Sequence, residues 1–537
     1  MARHSTARTS SQRHRLIAVA LVVACAAIAS SVIALVHGST HPLANWSTKR
    51  PVVSSPGCGA HGTLRVAAAS GIAPVLQTVA ERSCLQLSVT RSDDEGGAML
   101  LAKGAVDVWV PDSSERAFLT GPAARSAPSI ATSPIVMAAR ASGIAKASWA
   151  MLLQPAGGAA PRVVIEDPRK SSVNLGVAGV LAGIATTVTH DRYLGVAGAA
   201  QAINAMSSTS ASTLTAADQG RLYVVEQRLI DHGPATSGST TPQTAVLLPA
   251  EGVPYLDYPW VAGPRTATTR ANAARLLAAL LGPSGVQARR ANGLLEPRLP
   301  SFTPPGGSAA IPLIAHVPAD QVPTLYAVAD SAAYSSNAIA VLDVSGSMGE
   351  AQAGGKAPID IVRPSALAVV KAFASRANLA LWEFGTQLDP PRDYRQLVPF
   401  GPVSQNQAAL SGALVGVRAQ RTGTALYKTV LAAYRAMLQR ARPGAINVVA
   451  VFTDGRNQDA PGLALPDLLQ ALKPLVNEAN PVLVQFFGYR NADIPAMKAI
   501  VGVTGGSVYK IDRPEQVIGA LIDSVSDTIL QRAGIAH

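Results

Sequence analysis

The sequence predicts an α/β protein with two folded domains, preceded by one transmembrane helix. Short apolar runs of strand length alternate with segments of helical periodicity along most of the chain, as in parallel sheets covered by helices. A stretch rich in proline, glycine and alanine near residues 300–323 interrupts this alternation and is typical of a linker. The 537 residues, of which 48% are hydrophobic and 15% charged, are enough for more than one core.

The composition excludes several classes of function. The formal net charge is +12, but the basic residues form no runs that could follow a phosphate backbone, and aromatic residues make up only 4% of the chain. We therefore expect no nucleic-acid binding. Three cysteines exclude a disulfide scaffold and a cysteine-rich zinc fold, and none of the nine histidines begins the H-E-x-x-H motif of metalloproteases.

Residues 16–36 form the predicted transmembrane helix. They read LIAVALVVACAAIASSVIALV and carry no charge, and as a helix they measure about 31 Å, close to the hydrocarbon thickness of a bilayer. Arg13 and Arg15 of the basic tail, residues 1–15, precede them. The positive-inside rule therefore places the tail in the cytoplasm and the rest of the chain outside. We expect an uncleaved signal anchor; a lipoprotein box ending at Cys25 and conventional signal cleavage remain alternatives.

A stalk rich in serine, threonine and proline is predicted for residues 37–60. Disulfides persist outside the cytoplasm, so Cys58 in this stalk and Cys84 in the first domain form a predicted pair. Two free thiols are the alternative, because the spacing of the cysteines does not decide between them.

The first domain, residues 61–300, is predicted to alternate strands with helices. Its first elements are strands at 64–69, 85–90 and 106–110 with helices at 72–82 and 98–103 between them. This βαβαβ order predicts a parallel sheet with helices on its faces. Later strands are predicted at 133–139, 162–165, 222–226 and 244–248, and a later helix at 271–281.

The second domain, residues 334–537, follows a linker predicted for residues 301–333. Six strands interleave with six helices, which predicts a doubly wound, mostly parallel sheet. The predicted strands are 338–343, 379–384, 396–400, 447–453, 482–489 and 507–511, and the predicted helices are 364–376, 405–417, 425–440, 465–480, 494–501 and 514–531.

Three loops of the second domain carry polar residues. The first loop, Asp343–Ser347, follows a buried strand; the second loop, Arg421–Tyr427, opens a helix; the third loop, Val451–Gly455, closes another strand and contains Asp454. Open α/β sheets bind ligands at the carboxyl ends of their strands, so we expect the three loops to meet at one edge of the sheet.

Here the sequence resembles the von Willebrand factor A domain with its metal-ion-dependent adhesion site. The D-x-S-x-S element, the following Met348, the Gly-Thr-x-Leu-Tyr loop and the Thr-Asp-Gly strand end match in order, between about Tyr334 and Arg532. The resemblance implies a Rossmann-like fold and a site for Mg²⁺ or Mn²⁺. It also implies that two aspartates of this site act mainly through waters and hydrogen bonds. The implied metal residues are Asp343, Ser345, Ser347, Thr424 and Asp454.

The chemistry of these residues agrees with a magnesium site. Mg²⁺ takes oxygen ligands; the hydroxyls of Ser345 and Ser347 lie two residues apart and can face one ion, and Thr424 can add a third hydroxyl. Neutral ligands leave the ion electrophilic, so an acidic side chain of a partner protein can complete its coordination. Two alternatives stay open: Asp343 and Ser345 can cap a helix, and Thr422 can take the place of Thr424.

The first domain, from Thr63 to about Pro297, resembles the extracellular solute-binding proteins of bacterial ABC transporters, most closely the molybdate-binder-like branch. The segments that carry the resemblance are LRVAAASG, GAVDVWVPD, TSPIV, EDP and LDYPW. It implies two lobes with a ligand held in the cleft between them. One lobe would contain residues 62–130 and 240–300, and the other residues 135–235.

Ser70 and Gly71 are the ligand-binding residues that this resemblance suggests. They lie where the first strand turns into a helix, and the free N–H groups of a helix N-terminus suit an anion. The second loop of this lobe, residues 92–96, reads SDDEG, and three carboxylates would repel an oxyanion. A cation, a peptide or no ligand at all therefore remain alternatives.

Together these features predict a binding protein rather than an enzyme. We expect a single-pass protein of the bacterial cell membrane whose two extracytoplasmic domains bind a protein partner through the Mg²⁺ site at the cell envelope. The alternative is the solute-binding component of an ABC-type transport system, with the second domain as a scaffold. The sequence has no phosphate-binding loop for ATP and no nucleophile elbow or catalytic triad in suitable loops.

Overall fold

The computed structural model describes residues 62–532 apart from short gaps. Residues 1–60, which contain the predicted tail, apolar segment and stalk, lie outside the described residues. Cys58 is among them, so its pairing with Cys84 stays a prediction. The internal gaps are residues 94–95, 119–120, 122–123, 125, 141–146, 154–161, 167–170, 210–220, 232–243, 264–265, 305–308, 332–334, 352–356, 373–376, 490 and 514–515.

The prediction that the chain is a single-pass protein of the bacterial cell membrane is wrong, as judged from the residues that the structure describes. None of the helices in the described part of the chain is both long and apolar enough to span a bilayer. The helices Val173–Thr189 and Gln516–Arg532 have 17 residues each, about 25 Å at 1.5 Å per residue, which is shorter than the hydrocarbon core. The segment behind the prediction, residues 16–36, lies outside the described residues.

The first domain contains two sheets, as its strand and helix pattern predicts. Its strands are β1 (Leu64–Ala68), β2 (Leu87–Arg91), β3 (Val108–Val110), β4 (Ser133–Arg140), β5 (Arg162–Glu166), β6 (Ser207–Thr209), β7 (Arg221–Glu226), β8 (Thr244–Leu247), β9 (Tyr255–Leu256) and β10 (Val261–Ala262). Its helices are α1 (Ala73–Arg82), α2 (Gly96–Ala102), α3 (Ser114–Ala117), α4 (Val173–Thr189), α5 (Arg192–Ala205), α6 (Gln227–Asp231), α7 (Ala267–Leu281) and α8 (Pro283–Ala291).

The two sheets define two lobes. In the first sheet, β2, β1 and β3 are parallel, which confirms the βαβαβ prediction, and β10 joins β3 antiparallel. The second sheet has the order β6-β5-β7-β4-β8 and is mixed, with β4 antiparallel to both neighbours. The prediction that residues 240–300 belong to the first lobe is wrong for β8. Leu247 of β8 pairs with Met137 of β4 in the second sheet.

The predicted linker, residues 301–333, contains regular structure. Two short strands pair in it, β11 (Ser301–Phe302) and β12 (Ile311–Pro312), and the helix α9 (Val322–Ser331) follows. Tyr326 of α9 packs edge-on against Phe118 of the first lobe, with ring centroids 5.3 Å apart. The linker therefore packs against the first domain.

The second domain is a six-stranded sheet covered by helices on both faces, which confirms the predicted α/β fold. Its strands are β13 (Ser336–Asp343), β14 (Ala377–Asp389), β15 (Arg392–Pro402), β16 (Ile446–Thr453), β17 (Val482–Tyr489) and β18 (Val508–Ile511). Its helices are α10 (Pro358–Ala372), α11 (Val403–Gly416), α12 (Leu426–Leu438), α13 (Leu465–Leu472), α14 (Ile494–Thr504) and α15 (Gln516–Arg532).

The strand order of this sheet places a switch point at its centre. The order is β15-β14-β13-β16-β17-β18, and all neighbours are parallel except the edge strand β15. Numbered within the domain, this is the order 3-2-1-4-5-6, so the chain winds outward in both directions from β13 and β16. Ligands of such sheets bind at the carboxyl ends of the strands where the direction reverses.

Helix α10 differs from the sequence prediction at its start. It starts at Pro358, six residues before the predicted start, and Pro364 lies inside the helix. Proline is favoured in the first turn of a helix. The prediction therefore starts the helix at Pro364, whereas Pro358 is its first residue.

Helix α13 ends at Leu472, eight residues before the predicted end at residue 480, and a 3₁₀ turn at Lys473–Leu475 follows it.

One face of the second sheet is less tightly packed than the other. Ala338, Ala340 and Ala450 point from β13 and β16 into an apolar cavity of about 200 Å³ beneath α10, α11 and α15. The opposite face carries larger side chains, including Ile339 and Val341, and buries Ala380 in a continuous core. The small alanines thus leave space on this face of the sheet.

We expect that filling this cavity stabilises the second domain. Ala450→Val adds two methyl groups in a strand that favours β-branched residues, and should raise the free energy of unfolding by about 0.5–1.5 kcal/mol. Ala380→Val, the matched control on the packed face, should lower it by about 1–3 kcal/mol through overpacking. Thermal and chemical unfolding of the two variants would check this. Equal effects of the two substitutions on the free energy of unfolding would contradict the difference in packing between the two faces of the sheet.

Candidate functional site

The three polar loops of the second domain meet at the switch point, as their order in the sequence predicts. Backbone hydrogen bonds join them. The N–H of Gln420 donates to Val344 of the first loop at 2.6 Å, and the N–H of Gly346 donates to Thr422 of the second loop at 3.1 Å. The N–H of Gln458, just after the third loop, donates to the second loop at 2.8 Å. The loops therefore form one surface at the carboxyl edge of the sheet.

Asp343 lies at the centre of this surface and is fully buried. Its Oδ1 accepts the N–H of Ser345 at 2.8 Å, and its Oδ2 accepts the hydroxyl of Thr453. Burial raises the pKa of Asp343 to about 6, although these hydrogen bonds lower it in part. The charge of Asp454 adds to the rise. A buried carboxyl group with acidic surroundings is an environment that favours a cation.

The hydroxyls of the first loop face the third loop. The Oγ atoms of Ser345 and Ser347 are 3.3 Å apart, and the hydroxyl of Ser347 donates to Oδ1 of Asp454 at 2.7 Å. Neighbouring ligands of an octahedral Mg²⁺ ion, each about 2.1 Å from it, are about 3.0 Å apart. The spacing of the two serine oxygens therefore fits adjacent positions around one ion.

The two threonines of the second loop have different environments. Thr424 is 1% exposed, and its Oγ1 lies against the third loop: a Cβ added to Gly455 would approach this atom to 2.8 Å. Thr422 instead donates its hydroxyl to the carbonyl oxygen of Thr386 at 2.5 Å. The geometry favours Thr424 over Thr422 as the residue that faces the site.

The structure does not support the alternative in which Asp343 and Ser345 cap a helix. Ser345 precedes a 3₁₀ turn at Gly346–Gly349, but its side chain makes no capping hydrogen bond. The carboxylate of Asp343 binds the N–H of Ser345 and the hydroxyl of Thr453. The hydroxyl of Ser345 is directed towards Ser347.

Thr453 is a residue of the site that the sequence analysis did not single out. It is 1% exposed, donates to Asp343 and accepts the N–H of Gly455 at 3.1 Å. Its position as the last residue of β16, directly before Asp454, was the available signal. A hydroxyl at the end of a buried strand needs a partner, and the neighbouring strand supplies a carboxylate.

Basic side chains surround the loops. Arg421 lies in the second loop and Arg456 directly follows the third, and both are exposed. Exposed arginines at the rim favour the approach of an acidic surface.

In the first domain, the predicted ligand-binding residues have partners within the chain. Ser70 donates both its N–H and its hydroxyl to the carboxylate of Asp93, each at 2.5 Å. A Cβ added to Gly71 would come within 2.4 Å of the Tyr258 hydroxyl and 2.7 Å of an Arg228 nitrogen. The donors proposed for an anion therefore bind a carboxylate of the protein itself.

Buried polar groups join the two lobes. The carboxylate of Asp112 accepts the N–H and the hydroxyl of Ser172, the residue that precedes α4, at 2.6 and 2.5 Å. Arg116 donates to the Ser172 hydroxyl at 3.0 Å. Tyr258 of the first lobe donates its hydroxyl to Glu226 of the second at 2.8 Å.

Glu166 is the exception among these groups. It is 7% exposed, and among the described residues its Oε1 has no hydrogen-bond partner. Burial and the neighbouring charge of Glu226 raise the pKa of Glu166 to about 8. The carboxyl group therefore keeps its proton near neutral pH.

Comparisons with protein families agree with both resemblances. A family model described as von Willebrand factor type A domain matches residues 337–523, and one described as bacterial extracellular solute-binding protein matches residues 64–295. The chain is thus composed of a solute-binding-like domain and a von Willebrand factor A-like domain, and binding is the function that fits both. The search of curated proteins gave no match.

Several solved structures align with part of this chain. A periplasmic thiamin binding protein aligns with 51% of this chain and 98% of its own at 13% identity, with a TM-score of 0.40. A Bordetella ferric binding protein aligns with 51% and 99% at 13% identity and a TM-score of 0.35. The pilus adhesin SpaC from Lactobacillus rhamnosus GG aligns with 37% of this chain and 30% of its own at 17% identity and a TM-score of 0.29.

We expect Glu166 to make the stability of the protein depend on pH. Its pKa is raised in the folded state, so the folded protein keeps a proton that the unfolded chain releases above its ordinary pKa of 4.5. Stability is therefore lost as the pH rises from about 4.5 to about 8, by at most about 1.4 kcal/mol per pH unit. Glu166→Gln removes this titration, so its unfolding free energy should fall less than that of the wild type over this range.

Chemical unfolding at several pH values would measure this difference. Glu81→Gln, which changes an exposed carboxylate of α1, is the control and should follow the wild-type curve. A Glu166→Gln curve parallel to the wild type from pH 5 to pH 8 would contradict the buried protonated state.

Proposed function

We propose that this chain is a binding protein that holds Mg²⁺, or Mn²⁺, in its second domain and uses the ion to bind an acidic side chain of a partner protein. The observation that carries the proposal is the convergence of hydroxyl and carboxylate oxygens from three loops at the switch point of the sheet. Ser345, Ser347, Thr424, Asp343 and Asp454 are the proposed metal residues.

The chemistry of the donors supports Mg²⁺. All the groups that face the site are oxygens, the ligands preferred by hard cations. Both carboxylates already accept hydrogen bonds. Asp343 accepts from Ser345 and Thr453, and Asp454 accepts from Ser347. Their proposed role is to orient the hydroxyls. Hydroxyl ligands are neutral, so the ion would keep most of its charge for a carboxylate from the partner.

The surroundings of the site support an acidic partner. Arg421 and Arg456 are exposed beside the loops and would add attraction at long range. Such rim charges raise the rate of association more than the affinity, and their effect falls with salt. The proposal needs no chemical step, and we propose that the protein is not an enzyme.

A second proposed function is the binding of a small solute between the lobes of the first domain. Its support is the solute-binding family match and the unpartnered buried oxygen of Glu166. A hydrogen-bond donor or a cationic group of a solute would satisfy that oxygen. An oxyanion fits less well, because Asp93 occupies the donors of Ser70. The pH dependence of the Glu166→Gln variant tests the buried carboxyl group on which this second function depends.

We expect the full chain to bind Mg²⁺ in isothermal titration calorimetry through the three-loop site. Ser345→Ala and Thr424→Ala each remove one hydroxyl and should weaken binding at least about 10-fold. Thr422→Ala is the matched control, because this hydroxyl binds Thr386, and its affinity should equal that of the wild type. No metal-dependent heat in the wild type, or equal heats in the wild type and Ser345→Ala, would refute the metal site.

We expect partner binding to require the metal and to benefit from the rim arginines. Immobilised protein should retain its partner in Mg²⁺ and release it in EDTA. The double variant Arg421→Ala/Arg456→Ala should bind Mg²⁺ like the wild type but capture the partner more slowly, with a weaker dependence on salt. Arg290→Ala, an exposed arginine of α8, is the control. Equal capture in Mg²⁺ and in EDTA would exclude metal-dependent recognition.

A further inference from the structure

Three side chains that can bind metals converge in the first domain, apart from the site described above. Glu115 lies in the short helix α3, Asp257 directly follows β9, and His316 lies between β12 and α9. One ligand atom of each lies within 4.8 Å of those of the other two. The first lobe and the predicted linker therefore contribute to one cluster.

Hydrogen bonds orient the two carboxylates of this cluster. One oxygen of Glu115 accepts the hydroxyl of Ser113, and the other forms a hydrogen bond with Nδ1 of His316. Oδ1 of Asp257 accepts the N–H of Ser114 at 2.6 Å. Ser113 and Ser114, at the start of α3, thus each donate to one carboxylate of the cluster. The second oxygen of Glu115 binds His316.

The cluster combines two carboxyl groups with one histidine, and Glu115 is its buried member. The side chains of Glu115 and His316 are 4% and 17% exposed. In the described part of the chain, neither carboxylate forms an ion pair with a lysine or an arginine. Two carboxylates beside one histidine are a charge pattern that a divalent cation balances.

We propose that Glu115, Asp257 and His316 bind a divalent transition-metal ion of the zinc class and that this ion fastens the linker to the first domain. A donor set of one imidazole nitrogen and two carboxylate oxygens suits Zn²⁺ and its neighbours better than Mg²⁺ or Ca²⁺, which prefer oxygen alone. The ion would take the place of the hydrogen bond between Glu115 and His316.

The position of His316 explains what the ion would do. The residues before it are tied to the first domain, because the N–H of Ile314 donates to the carbonyl of Val253 at 2.8 Å. The residue after it, Val317, lies so close to α4 that a Cβ added to Gly179 would meet its side chain at 2.5 Å. Helix α9 begins five residues later. A metal ion at His316 would therefore hold the segment between β12 and α9 against the first domain.

Zinc binding by the full chain, measured against a chromophoric chelator in excess Mg²⁺, tests this proposal independently of the proposed Mg²⁺ site. His316→Gln should bind one equivalent of Zn²⁺ fewer than the wild type, or bind it at least about 10-fold more weakly. His190→Gln, which changes an exposed histidine at the end of α4, is the control and should match the wild type. Zn²⁺ should also raise the unfolding midpoint of the wild type and of His190→Gln, but not that of His316→Gln.

A second variant keeps the test decisive if His316→Gln does not fold. Asp257→Asn retains an oxygen for the N–H of Ser114 but removes a charged ligand, and should also lose the tight equivalent. Equal zinc binding by the wild type and either folded variant would overturn the proposal. The cluster would then be only a buried pair of Glu115 and His316.

Discussion

The buried carboxylate of Asp343 is the interaction on which the geometry of the second domain's site depends. It ends β13 and accepts hydrogen bonds from Ser345 and from Thr453, the last residue of β16. Leaving such buried donors without an acceptor would cost about 1–3 kcal/mol each. The carboxylate therefore fixes the first loop to the third where the strand order reverses, and in this arrangement Ser347 binds Asp454.

A second polar contact, at the amino ends of the same strands, sets their register. Asn337 donates to Asn447 at 2.9 Å and accepts from Asn378 at 3.0 Å, and both pairs are opposite each other in the sheet. A shift by one residue would separate these amides and move each side chain to the other face. Because the strands are in register at one end, Asp343 and Thr453 lie side by side at the other.

The sequence predicts most of the second domain because its signals are local. The strands read as apolar runs, and the residues that form the site lie within a few positions of each strand end. The contacts that it does not predict join distant segments. Examples are the occupation of the Ser70 donors by Asp93, the pairing of β8 with β4, and the meeting of Glu115 with His316. Each needs the tertiary fold, although an asparagine near the start of three strands was a visible hint of their shared register.

Helix α15 explains why the linker does not act as a flexible tether. Val517 and Leu521 on one stripe pack in the core of the second domain, whereas Ile518 and Ile522 on the next stripe belong to the core of the first. The ring of Tyr193 in α5 lies so close to α15 that a Cβ on Gly519 would meet it at 2.7 Å. A helix buried on both sides moves only if both cores repack, since such interiors are close-packed. The two domains are therefore joined through packed side chains as well as through the linker.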